Sequence, residues 1–218
     1  MKKTNRVIVT KTEAFVKEML ANAEGGHDWW HIERVRRNSL KIAKDEDVDM
    51  LIVELAALLH DIADSKFHGG NEEIGPATAK KFLQTLNIDE KSIQHIVDII
   101  RNMSFKNSFG NTVFKSRELM IVQDADRLDA IGAIGIARSF NYGGHKGSEM
   151  YNPDIKPVIY KNKEEYKKSS SPTINHFYEK LLLLKDGMNT VKAKEMAQVR
   201  HDFMLGFLEQ FYTEWNAD

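Results

Sequence analysis

The chain has no cysteine, only four prolines among 218 residues, and almost no net charge, with 31 lysines and arginines against 32 aspartates and glutamates. Without cysteine there are no disulfides, no thiolate nucleophile and no Cys-based zinc site, so any metal chemistry must use nitrogen and oxygen ligands. The charge balance removes the global field that would draw in a nucleic-acid polymer or an anionic membrane surface, so phosphate recognition has to be local. Long hydrophobic runs are also missing. The longest, Leu51 to Leu59, is interrupted by Glu54 and falls far short of a membrane span. Val7-Ile8-Val9 is too short for the core of a signal peptide, which makes the cytoplasm the expected location.

What is present is an ordinary globular composition, 42% hydrophobic and 29% charged, which supports a chain that folds on its own. We expect a single domain over residues 1–218. Helical spacing dominates: helices are expected from Thr12 to about Ala23, Trp29 to Lys44, Leu51 to about Ile62, Gly75 to Leu86, Asp89 to Met103, Ser116 to Phe140, Ile174 to Asp186 and Val191 to about Trp215. The third is apolar on nearly all sides and belongs in the core. Gly132 and Gly135 share one face and suggest close packing against a neighbour. Three prolines within Tyr142 to Pro172 mark a long loop at about 142–171, a length usually functional or mobile. The glycine pairs Gly25-Gly26 and Gly143-Gly144 read as loop turns, and two apolar triplets, Val7-Ile8-Val9 and Val158-Ile159-Tyr160, are too isolated to build a sheet. The class is all-α, a helical bundle.

Three His-Asp doublets occur, at residues 27–28, 60–61 and 201–202. His60-Asp61 stands apart because it ends the most apolar helix, where a polar pair entering the interior needs a partner that offsets its desolvation. A metal is one such partner; the alternative is that His60 caps the last carbonyls and Asp61 starts the next turn. Consecutive side chains on a regular helix diverge by about 100°, so only a helix end lets the backbone turn Asp61 toward the same ion. His31 lies in register with Val35 and Ile42 at the edge of an apolar face, where a lone histidine would usually be structural. In Gln123-Asp124-Ala125-Asp126-Arg127-Leu128-Asp129, the stripe through Ile121, Ala125 and Leu128 places Asp126 at the core edge and turns Asp124 away. Asp129, one turn on, is a candidate substrate contact; for Asp124 and Asp129 the alternative is surface charge or an ion pair with Arg127.

Together, His27-Asp28-Trp29-Trp30-His31-Ile32-Glu33-Arg34-Val35, Leu59-His60-Asp61-Ile62 and Asp124-Ala125-Asp126-Arg127-Leu128-Asp129-Ala130-Ile131-Gly132 resemble the HD-domain phosphohydrolase superfamily, in a small bacterial branch. The segment from His176 to Leu181 and the closing helix from Arg200 to Trp215 are similar to that branch as well. The resemblance implies one divalent transition metal (Mn, Fe, Ni, Co or Zn) on His31, His60, Asp61 and Asp126. It implies metal-activated water acting on a small phosphorylated substrate, a nucleotide or a related ester or anhydride, with cleavage of a nucleoside triphosphate to pyrophosphate among the reactions in view. Where family members with a catalytic acid usually carry glutamate, this chain has Asp64; Asp61 and Asp64 are the candidate proton acceptors. His68 and His95 fall in the interval where dinuclear relatives add histidines, but match no such pattern, so one metal is expected. Candidate substrate contacts are His27, Arg34, Lys66, Arg127, Asp129, His145 and Lys146. The reading from another class is a catalytically silent helical module, with the metal as structural clip or sensor. Val199, Phe203, Phe207 and Phe211 form either a face for a homodimer or ordinary core.

Overall fold

The computed structural model describes residues 3–21, 28–62, 71, 73–103, 114–158 and 171–218. Among these residues it contains nine α-helices, one 3-10 segment and no strand, as the all-α reading anticipates. The chain divides into two compact units, 1–125 and 126–218.

The first unit holds α1 (Lys3–Met19), α2 (Trp29–Ala43), α3 (Met50–Leu59), α4 (Ile74–Leu83), α5 (Glu90–Asn102) and most of α6 (Arg117–Asp129), which continues unbroken past residue 125. Helix α3 is its centre, packing on α1, α2 and α5. Every residue from Ile52 to Leu59 is buried, because a helix apolar all round has no face to give to water. Leu55, Leu58 and Leu59 are fully buried, each worth roughly 1.5–3 kcal/mol of transfer free energy. Aspartates start three of these helices: Asp28, Asp49 and Asp89 each accept a backbone N–H of the first turn. Helix α1 begins earlier than its capping threonine suggests and absorbs Val7-Ile8-Val9. Ile8, Thr12 and Val16 are buried four residues apart, a helical face that the β-branched triplet disguises. Phe15 stacks on Phe82 of α4 with ring centres 4.0 Å apart.

The second unit holds α7 (Gly132–Lys146), α8 (Thr173–Glu179), the 3-10 segment Leu181–Gly187 and the long α9 (Val191–Asn216). Two of its elements correct the sequence reading. The helix expected over Ser116 to Phe140 is broken at Ala130-Ile131, where Gly132 takes φ +75° and the Arg200 side chain lies 3.0 Å from the place its Cβ would occupy. Periodicity survives the break, which is why the sequence hides it. Gly135 does not serve a neighbouring helix; a Cβ there would strike the Ala130 carbonyl. The expected helix from Ile174 to Asp186 is likewise split into α8 and the 3-10 segment.

The long loop starts later than residue 142. Gly143 and Gly144 lie inside α7, Gly143 being buried against Thr173, and α7 stops only at Gly147, whose left-handed conformation (φ +66°) lets its N–H reach the Gly143 and Gly144 carbonyls. Beyond it, residues 148–158 are tied to α8: Thr173 N–H donates to the Glu149 carbonyl (2.9 Å) and Asn175 Nδ2 to that of Ile155 (2.9 Å). Residues 159–170 of the loop lie outside the described residues. On α9, Val199 and Phe203 are exposed, whereas Phe207 stacks on Phe177 at 5.8 Å and Phe211 joins Tyr151 and Trp215.

Candidate metal centre

His31 sits in the first turn of α2 and is 2% exposed. Its backbone N–H donates to the capping Asp28 carboxylate at 2.9 Å, which gives the first His-Asp doublet's aspartate a structural task. His60 is the residue at which α3 ends, and its Nδ1 lies 2.8 Å from the Ala57 carbonyl oxygen. A carbonyl can only accept, so Nδ1 is the donor in this contact and the buried Nε2 is the ring nitrogen left for a metal. That is the tautomer a metal-ligating imidazole adopts when its second nitrogen is fixed by backbone. The His31 and His60 rings meet edge to face, with centres 5.3 Å apart.

Asp126 is half-buried on α6, one residue past the first unit along a continuous helix. His31, His60 and Asp126 each present one ligand atom, and these atoms all lie within 4.8 Å of one another; among the described residues they form the one such group. Two imidazoles and a carboxylate suit a borderline divalent transition ion better than calcium, which favours an all-oxygen shell.

Asp61, half-buried in the turn after His60, is outside that tight group. The divergence of consecutive side chains accounts for the difference between it and His60. His27, Asp64, Lys66 and His68 lie outside the described residues. Arg34 is half-buried on α2. His95 on α5 faces Glu118 at 3.5 Å and the edge of Phe114, away from this cluster's membership. In the second unit, Arg127 Nη1 donates to the Gly187 carbonyl at 2.7 Å, and His145 and Lys146 occupy the exposed last turn of α7 rather than a loop.

The three aspartates of α6 sort differently from a surface reading. Asp124 is fully buried, since 121, 124, 125 and 128 share one helical face. Asp129 is 1% exposed and forms an ion pair with Arg138 (2.6 Å). Arg138 also donates to the Asp129 carbonyl and Arg200 to that of Leu128, so two guanidinium groups cap the last carbonyls of α6 at its negative dipole end.

A second charged network, which no sequence motif announces, joins α1, α2 and α3. Arg36 Nε and Nη2 both donate to Glu54 Oε1 (2.9 and 2.7 Å), while Nη1 reaches Glu33 (3.0 Å) and Glu13 (3.1 Å). Burial works against the Arg36 charge, but its hydrogen bonds to Glu54 and Glu33 prevail and hold its pKa above the ordinary arginine value. The signal was Glu54 itself, a carboxylate inside the most apolar helix.

The HD-domain family profile matches residues 29–131. The chain is 45% identical to an HD-superfamily hydrolase from Bacillus thuringiensis over 99% of this chain and 100% of that one, with TM-score 0.79. A Lactobacillus plantarum structure shares 38% identity over the full length of both chains with TM-score 0.82. YpgQ of Bacillus subtilis, solved in complex with ADP, is 35% identical over 97% of this chain and 96% of that one, with TM-score 0.76. The chain therefore belongs to the HD-domain superfamily of hydrolases.

Proposed function

We propose that this protein is a metal-dependent phosphohydrolase acting on nucleotides, with one divalent transition ion held by His31, His60 and Asp126. The observation that carries this reading is the convergence of those three ligand atoms within 4.8 Å, with His60 locked in the ligating tautomer by Ala57. Bound there, a divalent ion would supply Lewis acidity toward a phosphoryl oxygen and lower the pKa of bound water toward about 7. Asp61, in the turn beside His60, is the candidate fourth ligand or proton acceptor, a role it shares with Asp64.

The chain's own part is to hold geometry. Asp28 fixes the turn that carries His31, Ala57 fixes the His60 ring, and the arginine-capped end of α6 carries Asp126. Arg34, Lys66, Arg127, His27, His145 and Lys146 are the candidate contacts for substrate charge, and Asp129, ion-paired to Arg138 at 2.6 Å, stays a candidate beside them. A nucleotide substrate is favoured by the ADP complex of Bacillus subtilis YpgQ, which aligns with nearly the whole chain. The proposed setting is the cytoplasm; among the described residues no helix is long and apolar enough to cross a membrane.

Phosphate and pyrophosphate release from a panel of nucleoside mono-, di- and triphosphates, with Mn²⁺ added or chelated, tests the proposal in wild type and Asp126→Ala. Metal-dependent turnover that the substitution abolishes is expected, and the product identifies the bond broken. A folded, metal-loaded wild type with no turnover on any nucleotide would reject hydrolysis and favour a sensor module.

A further inference from the structure

We propose that the ion pair of half-buried Arg36 with buried Glu54 sets the axial register of α2 against α3, and through it the separation of His31 from His60; the inference rests on the metal-centre reading above. The two pairs are points on one seam. Arg36 of α2 meets Glu54 of α3 at 2.7 Å, and His31 of α2 meets His60 at the end of α3 with ring centres 5.3 Å apart. Moving from the first contact to the second goes five positions backward along α2 and six forward along α3, so the helices run antiparallel there. At 1.5 Å of rise per residue, those steps are about 7.5 and 9 Å. The register that brings Arg36 to Glu54 is thus the register that brings His31 to His60.

Apolar contacts alone would not hold it so closely. Apart from Met50 at its start, the rest of the α3 surface is Ile, Val, Leu and Ala, over which a neighbouring helix can slide by a fraction of a turn at little cost, whereas two N–H donors on one carboxylate oxygen at 2.9 and 2.7 Å are directional and short. Glu33 on the same helix and Glu13 on α1 hold the Arg36 guanidinium from the other side, so it meets Glu54 already oriented. A buried ion pair is poor value for stability when apolar residues of similar volume would serve, and specifying register is the best-attested reason to keep one. Each histidine is in turn fixed to its own helix: His60 through the Ala57 carbonyl, midway between Glu54 and His60, and His31 through its N–H to Asp28. Arg36 and Glu54 are therefore positioning residues for the two imidazoles.

The test is a Co²⁺ titration followed by visible absorption, with thermal melts of the same proteins. In Arg36→Met/Glu54→Leu, the apolar pair keeps the Tm near wild type while Co²⁺ Kd rises at least about tenfold and the absorption band shifts. Glu54→Gln, which keeps the accepting oxygen, stays within about threefold of wild type. Leu83→Ala, in the buried face of α4, lowers Tm and leaves Co²⁺ binding unchanged. A double variant with wild-type Kd and spectrum overturns the proposal. Should the double variant not fold, Arg36→Lys decides: it keeps the charge but not the two-pronged grip, so weaker Co²⁺ binding is expected and wild-type binding overturns it. A wild type that binds no Co²⁺ rejects the metal-centre reading itself, an outcome visible before any variant is compared.

Discussion

Arg200 packs its Cβ and Cγ 3.0 Å from where a Cβ on Gly132 would stand, in the turn that separates α6 from α7. Gly132 also has φ +75°, so the position excludes side chains twice, by backbone conformation and by space. Gly132→Ala is expected to cost about 1–3 kcal/mol, read as a lower urea midpoint with unchanged m-value. An unchanged midpoint would show that Arg200 and the turn move aside freely.

Burial separates ion pairs that matter from those that do not. Arg138→Ala leaves the Asp129 carboxylate in the interior without its 2.6 Å partner, and a loss of roughly 3 kcal/mol is expected. Arg101→Ala removes contacts to Glu73 (2.9 Å) and Asp98 (3.0 Å) that lie on the surface, and should cost no more than about 1 kcal/mol. The Arg101 hydrogen bonds hold the Glu73 carboxyl below its usual range, so the small effect should shrink further in salt. Denaturant titrations of both variants at low and high ionic strength check the contrast.

Asp28→Ala removes the side-chain acceptor for the His31 N–H and should destabilise the protein by about 1 kcal/mol. Because the frayed turn carries His31, metal affinity is expected to fall as well, and Asp28→Ser should restore both. Isothermal titration with Mn²⁺ beside a thermal melt distinguishes this from a cap with no bearing on the metal.

His176 makes stability depend on pH. Burial, reinforced by the nearby Lys180 charge, pushes its imidazole down to about 4 from an ordinary 6.5. A depressed histidine is neutral when folded but takes up a proton when unfolded, so stability is complete above about pH 6.5 and is lost as pH falls toward 4. Two and a half pKa units correspond to about 3 kcal/mol, most of it gone by the lower end of that window. His176→Gln should flatten the urea-midpoint profile between those pH values; a profile of the same slope would place the titration elsewhere.

The residues differ in how openly they announce themselves. His31, His60 and Asp126 stood out as candidates because each is a side chain that burial penalises at the edge or end of an apolar helix, and the family resemblance joined them into one set. Asp124 was misjudged: helical phase measured from Asp126 turned it away from the candidate ion and left surface charge as the alternative, yet its spacing with Ile121 and Leu128 puts it on a buried face. Arg36 was not legible at all, since nothing local says that an arginine on α2 will find a carboxylate eighteen residues away. Glycine misled in both directions: Gly143 looked like a turn and is a packing contact in α7, while Gly132 looked like a packing contact and is both that and a turn. Periodicity reports which face is buried, and it does not report whether the backbone pauses between two helices of the same phase.

Trp29 and Trp30 immediately precede His31, with Lys17 lying 4.4 Å over the Trp29 ring and Trp30 largely open to water, whereas the third tryptophan, Trp215, stands against Tyr151 at the far end of α9. Each unit thus carries its own fluorophore, and the pair in the first unit is chained directly to a candidate ligand. An open-shell ion such as Co²⁺ arriving at His31 should dim the emission of Trp29 and Trp30, while closed-shell Zn²⁺ leaves it bright. The two tryptophans would thus serve as a built-in optical gauge of the candidate metal centre, calibrated by Trp30→Phe and readable without any label.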